Sequence, residues 1–141
     1  MAELNLVEKV IALEGVELLG TLSPEHLAAI AMISTEVQVP PGRLILEATK
    51  PVEALYVVLD GTVEVIRDGS VLDTAGQNSV LGAWALLDED DPIPLTARAV
   101  SDTHLLRLGR DDFYDILADN SDITTAVFSN LVKRFRKLVE A

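Results

Sequence analysis

The feature that most constrains this chain is a change of hydrophobic period. Up to about residue 33 apolar residues recur at helical spacing. From 36 to 109 they recur every second residue in short runs broken by turn residues, and beyond 111 the helical spacing returns. A period of two puts alternate side chains on one face of a strand, whereas i, i+3, i+4 spacing marks one face of a helix. In the first segment Leu6, Val7, Val10, Ile11 and Leu13 form such a stripe, and Gly15 is a stop. After a turn at Gly20-Thr21-Leu22, Ser23-Pro24-Glu25-His26 opens a second helix, with Ser23 as cap and Pro24 at the first helical position.

In the middle segment Val37 and Val39 alternate with Glu36 and Gln38, and Pro40-Pro41-Gly42 turns the chain into Arg43-Leu44-Ile45-Leu46. The runs Leu55 to Leu59 and Thr62 to Ile66 flank Asp60-Gly61, and Asp-Gly between two β-branched runs predicts a β-hairpin. Arg67-Asp68-Gly69-Ser70 makes a second turn. Short strands follow around Val71-Leu72, Val80-Leu81, Thr96 to Val100 and His104 to Leu108. The pattern predicts a mostly-β fold with flanking helices: an antiparallel β-roll or jelly roll of about eight strands (36–109), between N-terminal helices (3–33) and C-terminal helices (111–140), all in one domain. In the last segment Phe113, Ile116 and Leu117 form one apolar stripe, and Val127, Leu131 and Leu138 a longer one. Phe128, Val132, Phe135 and Val139 add a second apolar face beyond what one core contact needs.

Composition narrows the function classes. The 141 residues carry 23 acidic against 11 basic side chains, a formal charge of −12, which opposes nucleic-acid binding because phosphate neutralisation needs a basic face. Lys133, Arg134, Arg136 and Lys137 cluster near the C-terminus, where cations complement a helix dipole. There are no cysteines, so disulfides and thiol chemistry are excluded. Hydrophobic content of 49% with mean hydropathy +0.30 fits a folded globule, and is high enough to suggest an apolar surface that meets a partner. No signal peptide and no long uncharged apolar run is visible, so no membrane insertion and a cytoplasmic location are expected.

Several landmarks, taken in order, carry a resemblance. They are Leu22-Ser23-Pro24-Glu25-His26-Leu27, Pro41-Gly42-Arg43-Leu44-Ile45, Ala54 to Gly61, Gly82-x-x-Ala85-Leu86-Leu87, Thr96-Ala97-Arg98-Ala99, and Leu105 to Phe113. With that spacing the chain resembles the cyclic nucleotide-binding domain family over nearly its whole length. The opening Val7 to Ile11 resembles versions found at the ends of larger bacterial proteins, so the chain is expected to be a piece of such a protein. The resemblance implies a β-roll pocket closed by a phosphate-binding cassette, here Gly82 to Leu87 and Pro92 to Ala97. Gly82, Ala85 and Leu86 match the family's ligand-binding positions.

The cassette departs from the family pattern where the chemistry is concentrated. The resemblance implies a Glu for the ribose hydroxyl at position 83 and an Arg for the phosphate at position 93; this chain has Ala83 and Ile93. Pro94 stands where the next residue would offer a backbone N–H, which proline lacks. Each lost charge-assisted partner costs about 1.5–3 kcal/mol, enough together to remove decades of affinity. Thr49 and Val52 also replace expected glycines, and Asn78 ends a Gly76-Gln77-Asn78 turn where the family has Gly-Pro-Gly. Asn tolerates the left-handed region, so that change is mild.

The remaining candidates each have two readings. Trp84 stacks on a purine, plugs the vacated pocket, or is an ordinary core aromatic. Arg98 is a substitute phosphate partner or a structural strand residue. Asp88-Glu89-Asp90-Asp91 holds a cation or, lacking EF-hand spacing, is a solvated loop. His26 and His104 have no companion metal-ligand spacing, and no nucleophile or nucleotide-loop motif appears. No enzyme, cofactor or metal is therefore expected. Two functional readings remain open. In one, the chain is a regulatory module impaired in ordinary cyclic AMP or GMP binding, which packs its C-terminal helix on an adjacent domain or in a homodimer. In the other, it is a live sensor that binds a cyclic nucleotide weakly or a different small molecule in the β-roll pocket.

Overall fold

The computed structural model describes residues 3–83 and 95–140. Among the described residues the order is α1 (Leu6–Glu14), α2 (Pro24–Ile33), β1 (Ser34–Val39), β2 (Leu44–Leu46), β3 (Ala54–Asp60), β4 (Val63–Arg67), β5 (Ser70–Ala75), β6 (Val80–Leu81), β7 (Thr96–Ala99), β8 (Thr103–Gly109), α3 (Arg110–Asp119) and α4 (Ser121–Glu140). The chain divides into two compact units. One holds the residues up to Ile33 with those from Asp111 on, and the other is Ser34–Arg110.

In the helical unit local chemistry sets the helix ends. Asn5 caps α1 in a reciprocal box: the Glu8 N–H donates to Asn5 Oδ1 (2.8 Å) and the Asn5 N–H to Glu8 Oε1 (3.1 Å). Gly15 closes α1 by donating to the carbonyls of Ala12 and Leu13. Ser23 Oγ accepts the His26 N–H at 3.2 Å, the cap expected for α2. Leu13, Leu27, Ile30, Phe113, Ile123 and Val127 are buried. Asn130 on α4 is buried as well and is satisfied by donating to Leu18 O (2.8 Å) and Thr21 Oγ1 (2.9 Å). The long α4 stripe does not run to its end as expected. Val127 is buried, but Leu138 is 76% exposed.

The β unit is two four-stranded antiparallel sheets, ordered β1-β8-β3-β6 and β2-β7-β4-β5. Their inner faces share one core. Val39, Val58, Leu81 and Leu105 come from the first sheet, and Val63, Ala75, Ala97 and Ala99 from the second; Val37, Ile45, Leu46, Tyr56 and Val65 pack at the margin. Two alanines on β7 keep that strand slim where the sheets meet.

One sequence expectation is overturned. β3 and β4 do not form a hairpin across Asp60-Gly61: β3 pairs with β6 and β8, and β4 with β5 and β7. Asp60-Gly61 instead carries the chain from one sheet to the other. The reason is steric. Gly61 adopts φ +103, and a Cβ there would lie 2.6 Å from Asp102 O and 2.8 Å from Thr103 Cα. The β3–β4 corner thus passes directly against the β7–β8 corner, which also changes sheet. Val100 N donates to Thr62 O (2.9 Å) and Thr62 N to Ser101 Oγ (3.0 Å) across the same junction. The two-residue hairpin is at Asp68-Gly69, where φ is +51 and +80 and Arg67 pairs with Ser70. Positive φ at both central residues is the turn whose twist suits antiparallel strands.

Gly61→Ala is expected to destabilise the chain by about 2 kcal/mol or more, combining a disfavoured φ with a backbone clash. Gly69→Ala meets open space and bears only the cost of its φ. Urea titration of the two variants checks this: an equal shift in midpoint would show that the Gly61 approach is not as tight as described.

Candidate functional site

The inner face of the β-roll does not stay filled along its length. The core is dense at Val58 and Leu105, and then opens into a cavity of about 320 Å³. Its wall is Leu44, Ile45 and Leu46 of β2 with the following loop residues Glu47, Lys50, Pro51, Val52 and Glu53; Tyr56 and Arg107 complete it. Ile45, Leu46 and Tyr56 belong to both the core margin and the cavity wall, so the cavity continues the core.

Strand register explains Arg107. Tyr56 pairs with Arg107 and Val58 with Leu105 without a shift between them, so Arg107 shares the inner face with Leu105. Arg107 and Tyr56 are half-buried, and among the described residues neither side chain has a hydrogen-bond or ion-pair partner. The other charges at the wall differ. Lys50 Nζ lies 2.7 Å from Glu47 Oε2, and that hydrogen bond, reinforced by the Glu47 charge, raises the Lys50 ammonium above the ordinary lysine range. Glu53 is exposed, and its carbonyl accepts the Arg110 N–H at 2.8 Å. The Arg110 guanidinium donates to Val52 O, tying the same loop from the end of β8.

Gly82, the first cassette position, lies at this cavity. It follows β6 with φ +89, and a Cβ on it would sit 3.0 Å from Ala54 O, 3.2 Å from Val52 Cγ1 and 3.8 Å from Leu46 Cδ1. Val52 and Leu46 are wall residues, so Gly82 and the half-buried Ala83 lie beside the cavity. The Ala83 side chain is a methyl, with no hydrogen-bonding group. Trp84, Ala85, Leu86, Ile93 and Pro94, with the acidic run Asp88 to Asp91, lie outside the described residues.

The other candidates have local duties. Arg98 sits opposite Glu64 in register and pairs with it, Nη2 to Oε2, at 2.9 Å. His104 Nε2 lies 2.8 Å from Glu36 Oε2 across β8 and β1. Asn78 takes φ +72, the left-handed conformation that asparagine tolerates, and donates to Val58 O at 2.9 Å. Among the described residues no group of acidic and histidine side chains could hold a metal ion, and no helix is long and apolar enough to cross a membrane. Sequence reading missed Tyr56 and Arg107. The available signal was the spacing of two between Leu105 and Arg107, which puts a cation on a core-facing row.

Gly82→Ala is expected to cost about 1–3 kcal/mol, because an unfavourable φ adds to contact with backbone at Ala54 O. Thermal denaturation checks it; a melting temperature equal to that of the parent chain would mean that the cassette entrance is not pinned to the β3 edge.

Comparisons with known proteins converge on one family. The model of the "Cyclic nucleotide-binding domain" family matches residues 36–120. The cAMP-dependent protein kinase regulatory subunit of Aspergillus fumigatus is 34% identical over 114 residues, 79% of this chain but 27% of that protein. Lysophospholipase nte1 of Aspergillus oryzae is 29% identical over 86% of this chain and 8% of its own length. The chain thus spans about a quarter or less of these relatives. The N-terminal domain of a transcriptional regulator from Streptomyces coelicolor A3(2) superposes with a TM-score of 0.79 at 28% identity, covering 92% of this chain and 93% of that one.

Proposed function

The chain belongs to the cyclic nucleotide-binding domain family, and from that premise we propose that it is a non-catalytic regulatory module impaired in ordinary cyclic AMP and cyclic GMP recognition. The observation that carries this reading is at Gly82-Ala83. The backbone keeps the positive-φ glycine against β3 at the edge of the roll, while the adjoining side chain is a methyl. The scaffold is present and the ribose acceptor is not. Ile93 and Pro94 extend the same deficit, since Ile93 has no guanidinium for a cyclic phosphate and Pro94 no amide N–H.

Output passes through α4, against an adjacent domain of a larger protein or a second copy of the chain. Phe128, Val132, Phe135 and Val139 recur at intervals of four, three and four and are 67%, 42%, 64% and 67% exposed. That spacing is the seam of a helix–helix contact. The second reading, a sensor for a different small molecule, is favoured by the cavity beside Gly82.

Calorimetric titration with cyclic AMP and cyclic GMP up to millimolar ligand tests the first reading. The expected result is no heat and no change in melting temperature; micromolar binding would overturn it. The helix contact is tested separately by Phe128→Asp with Phe135→Asp. Because both side chains are exposed, the pair is expected to alter the chain's own stability by about 0.5 kcal/mol or less per site, yet to abolish self-association measured by sedimentation. A double variant that sediments as the parent does would rule out the homodimer.

A further inference from the structure

We propose that the cavity between β2 and the Tyr56–Arg107 pair binds an organic oxyanion, a phosphate or carboxylate carried on a planar apolar body, with the Arg107 guanidinium as its anchor. The proposal rests on the second reading above, that the β-roll is a live sensor that takes a ligand in its pocket. It places the cation on a strand rather than in the cassette.

Three observations combine. The first is space: about 320 Å³ opens from the apolar core margin, with Leu44, Ile45 and Leu46 on one side to receive a ring or chain. The second is chemistry. Arg107 and Tyr56 line the cavity from directly paired positions, and among the described residues neither side chain has a hydrogen-bond or ion-pair partner. A guanidinium fork can give two parallel donors to one oxyanion, and a phenol hydroxyl in the same wall can add another. The third is charge. Glu47, the acid next to β2, is already compensated by Lys50 at 2.7 Å, and Glu53 is exposed to water, where its field is screened. Arg98, by contrast, is committed to Glu64 and is not available. Arg107 is thus the wall cation left with valence to spare, within a chain whose formal charge is −12.

The Arg107 Nε–Hε signal tests this in 1H–15N spectra of the full chain, assigned through its loss in Arg107→Gln. The probes are phenyl phosphate, benzoate, the neutral benzyl alcohol, and cyclic AMP. Phenyl phosphate or benzoate is expected to move the Arg107 signal and the Tyr56 amide saturably, and whichever binds tighter identifies the oxyanion. Benzyl alcohol is expected to bind about tenfold more weakly or worse, and Arg107→Gln to weaken the anion by about tenfold or more. Because the Arg107 side chain has no partner among the described residues, the variant should melt with the parent chain. Should it not, Arg107→Lys and Tyr56→Phe replace it, each expected to weaken the anion without abolishing it. No saturable response to either aromatic anion, or a response that Arg107→Gln leaves unchanged, overturns the proposal. Cyclic AMP saturating the Arg107 signal would uphold it while overturning impaired recognition. Cyclic AMP binding that ignores Arg107, with no response to the aromatic anions, overturns both.

Discussion

The β-roll depends on a backbone approach that only glycine permits. At Gly61 the chain leaves the β1-β8-β3-β6 sheet within van der Waals reach of Asp102 and Thr103, where another corner makes the reverse crossing. Two crossings at one point hold the sheets face to face at that end. Inner side chains can then interdigitate at Val58, Val63, Ala97 and Leu105. The same geometry leaves the other end of β3 and β8 less constrained. There the two sheets are bridged by the 47–53 loop instead of a tight corner, and the core gives way to a cavity.

Electrostatics constrain what that opening can hold. Over a chain with twice as many acids as bases, an anion is repelled at long range, but screening limits this beyond about 8–10 Å at physiological salt. Local arrangement therefore decides. At the cavity wall the Lys50–Glu47 pair cancels itself and Arg107 remains, while the Arg110 guanidinium, which does not line the cavity, is turned to the Val52 carbonyl. Its cross-strand neighbour is a tyrosine, whose hydroxyl is a donor without charge of its own.

Much of this was legible from residue types because the signals were local. The Ser23 cap, the Asp68-Gly69 turn, the left-handed Asn78 and the eight strand runs each follow from a few neighbouring residues. Asp60-Gly61 misled for the opposite reason. An Asp-Gly pair reports that the chain turns, whereas the identity of the paired strands depends on Asp102 and Thr103, forty residues away. Arg107 was hidden by the run Leu105-Leu106-Arg107-Leu108, whose strand is buried on both faces, so alternation does not reveal which side is the cavity. On α4 the periodicity showed two stripes correctly but not where burial stops: Val127 is covered and Leu138 is not. Of the cassette positions, Gly82, Ala83, Leu95, Thr96 and Ala97 fall among the described residues, and the others rest on sequence alone.

On the proposed reading, in which the cassette has lost its Glu and Arg, such a domain has two physical routes open. It can lose ligand affinity altogether, or it can supply the missing charge from elsewhere in the fold. A charge on a cassette loop is positioned by loop closure, so its contribution is reduced by the cost of ordering that loop. A guanidinium on β8 is different. Its backbone is hydrogen-bonded on both sides, to β1 and to β3, and its neighbour Tyr56 is fixed by the same register. The backbone beneath both side chains is thus held before any ligand arrives, which lowers part of the entropic cost of binding. A ligand anchored there would engage the floor of the roll first, leaving the Gly82-Ala83 entrance to respond to its size. That order of events separates anchoring, which the strand chemistry provides, from any response at the cassette, which depends on how far the bound body reaches toward Gly82.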